Sequence, residues 1–159
     1  FQTNHRRRML ILQICASLIW ASHFLLLGAM TGSAMNLLIS VRNFVFYKVG
    51  KNRNLRIPLT MAALFVLAAA LTWQGPRSLL PLAGSLIGTA AFWQIKTRHI
   101  RLILLSTSCF WLIYNVLSGS YAGMAADTTI LASILIGIYR FDVKPSMKHW
   151  LKPAYHKLK

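Results

Sequence analysis

Six apolar stretches divide this chain, and its charged residues gather in the gaps between them. They run roughly from Met9 to Met30, Gly32 to Val49, Ile57 to Trp73, Ser78 to Ile95, Leu102 to Leu117 and Tyr121 to Tyr139. A hydrocarbon core ~30 Å thick calls for ~20 helical residues, with ~17 to 25 usable. The stretches lack strand-like alternation, and backbone amides in lipid must be bonded within their own segment, so each predicts a helix. The fold class expected is all-α integral membrane. One transmembrane domain covers residues 1 to 141, and a basic tail covers 142 to 159.

Charge placement adds an orientation. Of 18 Lys and Arg residues, 16 fall in alternate gaps: Arg6 to Arg8, Lys48 to Arg56, Lys96 to Arg101, and Arg140 onward. Positive-inside bias puts those gaps and the C-terminus in the cytoplasm. Only Arg77 lies in the gaps between, and Arg42 falls inside an apolar stretch. A net charge of +16 could suggest a nucleic-acid partner. The distribution excludes it, because these charges flank segments too apolar for water instead of covering one face of a soluble domain. The partner expected is the lipid bilayer, with anionic headgroups at the basic side and the tail lying on them. The oligomeric state is left open.

Compared with itself at an offset of 91 residues, the chain pairs Trp20 with Trp111, Leu26 with Leu117, Gly28 with Gly119, Gly32 with Gly123, Ala34 with Ala125 and Ile39 with Ile130. His23 falls on Tyr114 and Asn36 on Asp127. The copies are the first two helices and the last two, so they point the same way. Parallel repeats of this kind place a solute site at their interface. A seventh helix ahead of residue 1 is expected, giving three plus one plus three with Ile57 to Trp73 as linker.

That layout resembles SWEET transporters and other PQ-loop proteins, although the chain has no Pro-Gln pair and only Pro81 is placed for a hinge. At residue level the chain is similar to YgjV-type bacterial inner-membrane proteins, through HFLLLG at 23 to 28, NLLISVRN at 36 to 43 and STSCFWLIYNVLSGSYAG at 106 to 123. The resemblance implies a multi-pass protein of the bacterial inner membrane and carries no biochemical activity.

Polar groups on spanning helices usually turn to a cavity or to other helices. Ser33, Asn36, Ser40 and Asn43 share one helical face; Thr107, Ser108, Trp111, Tyr114, Asn115 and Ser118 share another; Gln13, Ser17, Trp20 and His23 form a looser third. Trp20, His23, Asn36, Ser40, Arg42, Asn43, Trp111, Tyr114, Asn115 and Asp127 are the candidate solute-binding residues, and helix packing is the competing role for each. Arg42 sits near the bilayer centre, where it needs a partner. Carbonyls or Asp127, an anionic ligand, or snorkelling to the basic side would each supply one. Asp127 suits a coupling cation or a cap on the last helix. His23 suits a proton relay or a bond to its neighbours. Gly84 and Gly88 form a GxxxG read as intramolecular packing.

Cys15 and Cys109 show no metal or disulfide spacing and are expected to be buried structural thiols. No nucleophile elbow, metalloprotease motif, phosphate-binding lysine loop or pair of carboxylates is present, so neither an enzyme nor a cofactor is expected. A small-solute transporter, or a ligand-binding relative of one, is the function expected. A non-transporting receptor or assembly subunit is the alternative.

Overall fold

The computed structural model describes residues 5–50 and 54–143. It contains helices α1 (Arg6–Leu26), α2 (Met30–Val49), α3 (Arg56–Leu71), α4 (Leu79–Trp93), α5 (Thr97–Leu117) and α6 (Tyr121–Ile138). A 3-10 turn, Pro76–Ser78, leads into α4, and a π turn, Tyr139–Val143, follows α6. Lys51, Arg53 and the tail from residue 144 onward lie outside the described residues.

All six predicted helices form, with shifted ends. α1 and α5 begin at Arg6 and Thr97, not at Met9 and Leu102, because a nucleated helix runs on through Arg, a good helix former. Both stop before a glycine in the left-handed region, Gly28 at φ 70° and Gly119 at φ 67°. The two turns are bonded alike. Gly28 N donates to Leu25 O at 3.0 Å and Ala29 N to Phe24 O at 2.9 Å; Gly119 N donates to Val116 O at 3.2 Å and Ser120 N to Asn115 O at 2.9 Å. These are Schellman caps, which satisfy the carbonyls that a helix end leaves over. Gly32 and Gly123, the other glycine pair of the repeat, lie inside α2 and α6.

α1 packs along α2, α5 packs against both α4 and α6, and α3 rests on α2 and α4. Side chains are distributed inside out. Ser17, Thr31, Asn36, Arg42, Asn43, Ser85, Thr89, Thr107 and Asn115 are buried, while Leu12, Ile19, Leu26, Leu59, Leu71 and Ile136 face outward. Lipid as the solvent explains the inversion, because apolar side chains have no reason to leave it and polar ones do. By length and composition Arg6–Leu26, Thr97–Leu117 and Tyr121–Val143 suffice to cross a membrane. α3 and α4, with 16 and 15 residues, are ~24 and ~22 Å long, and α2 is made more polar by its buried face. Cys15 and Cys109 overturn the expectation of buried thiols. Both are exposed on the outer surface, where a thiol acts as a small apolar group against lipid.

The basic end is tied by two arginines. Arg6 donates to Phe92 O at 2.8 Å, Gln94 O at 3.0 Å and Gly50 O at 3.2 Å, binding the carbonyl ends of α2 and α4 where helix dipoles favour a cation. Arg101, wholly buried, forks onto Asp142 at 3.1 and 2.8 Å and fastens the residues after α6 to α5.

Candidate functional site

A void of about 90 Å³ lies where the helix groups meet. α1 contributes Gln13, Ala16, Trp20 and Phe24, and α2 contributes Asn36, Ile39 and Arg42. The other walls are Gly84, Gly88 and Phe92 of α4; Leu104, Thr107, Ser108, Trp111 and Asn115 of α5; and Asp127 and Ile130 of α6.

Arg42 is 2% exposed. Its Nε and Nη2 donate to Asn43 Oδ1 at 3.1 and 2.9 Å, and its Nη1 donates to Ser85 O and Thr89 Oγ1, both at 3.2 Å. The Phe92 and Phe65 rings lie 5.4 and 5.8 Å from the guanidinium carbon, within cation–π range. Gly88 makes room, since a Cβ there would come within 3.2 Å of Nη1. The chain has two acidic residues, and neither pairs with Arg42. Asp142 holds Arg101, and Asp127 Oδ2 accepts from Asn115 Nδ2 at 2.7 Å. Arg42 is therefore a buried cation in a neutral cradle, neither snorkelling nor bonded to Asp127.

Asp127 is not a cap either. α6 starts at Tyr121, so Asp127 lies nearly two turns inside it, and Ser120 is the cap through a bond from Gly123 N at 3.1 Å. Asn115 Oδ1 and Thr107 Oγ1, both on void-lining residues, are buried without a hydrogen-bond partner.

Aromatic rings close the end near the two glycine turns. Phe24 lies 6.0 Å from Trp20, 6.0 Å from Trp111 and 5.5 Å from Tyr114, and Trp111 meets Tyr114 edge-on at 6.0 Å. Beyond them are two crossed bonds. Gly32 N donates to Tyr114 OH at 3.1 Å, so a ring from α5 engages the first turn of α2. His23 Nε2 meets Ser120 Oγ at 2.8 Å, so a ring from α1 engages the start of α6. The first copy has Ala29 where the second has Ser120, and the longer tyrosine reaches the backbone N–H that histidine meets through a serine.

Of the ten candidate solute-binding residues, Trp20, Asn36, Arg42, Trp111, Asn115 and Asp127 border the void, as do Gln13, Thr107 and Ser108 from the polar stripes. His23, Ser40, Asn43 and Tyr114 do not. Tyr114 and His23 are drawn to the helix starts, Asn43 turns to the guanidinium, and Ser40 is buried away from the void. Phe24 and Phe92 were missed, and Gly84 and Gly88, read only as a packing pair, also line the void. An available signal for Phe24 was its offset partner Asn115, and for the glycines the need of Trp111 and Arg42 for room, since a Cβ on Gly84 would lie 2.9 Å from Trp111 Nε1.

The profile of a family described as bacterial inner membrane protein, Imp-YgjV, matches residues 1–144. The chain is 27% identical over 144 residues to the inner membrane protein YgjV of Escherichia coli (strain K12), covering 89% of this chain and 75% of that one. No solved structure matches. With lipid-facing apolar helices and a profile match over nearly its whole length, the chain belongs to the YgjV family of bacterial inner membrane proteins and is a multi-pass protein of that membrane.

Proposed function

We propose that this protein holds a small polar or anionic solute in the void and carries it across the inner membrane, or responds to it, without chemical change. One observation carries the reading: residues 91 positions apart border the void in pairs, Trp20 with Trp111, Phe24 with Asn115 and Asn36 with Asp127. α1 and α5 cover equivalent residues, and the turns after them share their hydrogen bonds. This agreement supports two similarly oriented copies joined through α3 in a SWEET-like arrangement, the kind of repeat that places a solute between its halves. Arg42, a cation without a carboxylate partner, favours an anionic group on the solute. The basic end, and the C-terminus with it, faces the cytoplasm in this reading.

The test is uptake by proteoliposomes of labelled sugars, amino acids and organic anions. The expected result is accumulation of a small anion that Arg42→Gln lowers about tenfold or more, as for loss of one charged hydrogen-bond partner, without lowering the yield of folded protein. Uptake of no solute, with no thermal stabilisation by any, overturns it.

The size of the void favours a second reading, a non-transporting receptor or assembly subunit. At about 90 Å³ it holds about three waters at ~30 Å³ each, well below the ~300 to 1,000 Å³ of common ligand pockets. A stoichiometric partner that co-purifies with the intact chain and is lost when residues 144–159 are deleted, leaving Asp142 in place, would favour it.

A further inference from the structure

A second hollow lies at the basic end, separate from the void. It is an open concavity of about 710 Å³, within the ~300 to 1,000 Å³ range of small-molecule sites. Distant parts of the chain build it: His5, Arg6 and Arg7 at the start of α1, Lys96 and Arg98 at the start of α5, and Asp142 after α6. Its charge is one-sided. The single carboxylate, Asp142, is already engaged by the buried Arg101 fork. Arg6 is held in place by the carbonyls of α2 and α4, and Arg7 lies 5.8 Å from the Tyr47 ring. Lys96 and Arg98 are exposed.

Topology alone asks only that basic residues lie at this end. It does not ask that residues some 90 positions apart surround one concavity, and Arg8 and Lys48 at the same end take no part in it. We propose that this hollow binds a phosphate group, carried by an anionic phospholipid headgroup or by a soluble phosphate ester. Several cations around a concavity match the spread of acceptor oxygens on a phosphate, and guanidinium forks fit two at once. A neutral solute would do nothing to offset the mutual repulsion of Arg7, Lys96 and Arg98. The ends of apolar helices also lie at headgroup depth, where basic pockets meet anionic lipids.

The experiment titrates dihexanoyl phosphatidylglycerol, with dihexanoyl phosphatidylcholine as control, into the detergent-purified full chain. Three forms are compared: wild type, Lys96→Gln with Arg98→Gln in the hollow, and Arg8→Gln with Lys48→Gln outside it. The hollow variant should bind phosphatidylglycerol about thirtyfold more weakly, from two cations lost at the site. The outside variant should stay within about threefold, since separated exposed charges are screened. Unchanged thermal unfolding of both variants separates lost binding from lost fold. Competition by glycerol 1-phosphate then assigns the source: displacement of the lipid points to a soluble phosphate ester, and its absence points to the lipid itself. Equal weakening in both variants, or phosphatidylcholine binding as tightly as phosphatidylglycerol, would overturn the site.

Discussion

A charge with no countercharge is the residue-scale problem in this protein. Arg42 was visible in the sequence as a cation inside an apolar stretch, and the cost of leaving it bare in lipid demanded partners. Which partners was not visible, because Asn43, Ser85 and Thr89 are supplied by neighbouring packing and carry no charge signal of their own. Glycines show the same division. Gly28 acts through its own backbone, whereas the need for Gly123 depends on Asn115, whose side-chain amide fills the space a Cβ would take. Gly123→Ala should therefore destabilise by ~1 to 3 kcal/mol through overpacking. Gly28→Ala, strained only by its φ of 70° in open space, should cost ~1 to 2 kcal/mol. Thermal unfolding in detergent measures both, and a loss under ~0.5 kcal/mol for Gly123→Ala would contradict the packing at α6.

At the scale of elements, helices and turns were legible because apolar runs and glycines report on local conformation, while the ties between helices were not. Arg6 and Arg101 look in the sequence like two of many topological charges, yet both are fixed to other elements. Arg6→Gln should cost ~1.5 to 3 kcal/mol, the worth of a charged hydrogen bond, against under ~0.5 kcal/mol for the neighbouring exposed Arg8→Gln. Equal effects on the melting temperature would mean that Arg6 ties nothing. For the Arg101 and Asp142 pair, Asp142→Ala takes the countercharge from a buried cation and should cost ~3 to 5 kcal/mol. Arg101→Met combined with Asp142→Leu should restore most of that loss, since an apolar pair leaves no charge uncompensated. Additive losses in the double variant would rule this account out.

Across its described residues the whole molecule is an apolar exterior around an interior rich in polar groups, with most cations at one end. Its orientation can be read with single cysteines after Cys15 and Cys109 are replaced. A membrane-impermeant maleimide should label Gln74→Cys in intact spheroplasts and Asn54→Cys only once the membrane is opened. The reverse pattern would invert the topology. Length, apolarity and charge segregation determined the helices and the membrane setting, because these properties act residue by residue against lipid and water. Tertiary structure alone decided which polar groups share a space. His23 and Tyr114, placed by spacing on the same stripes as Trp20 and Trp111, were pulled away to the starts of α6 and α2. Helical periodicity specifies a face, but an unfilled hydrogen-bond donor on a distant helix end determines where along that face a ring finally turns.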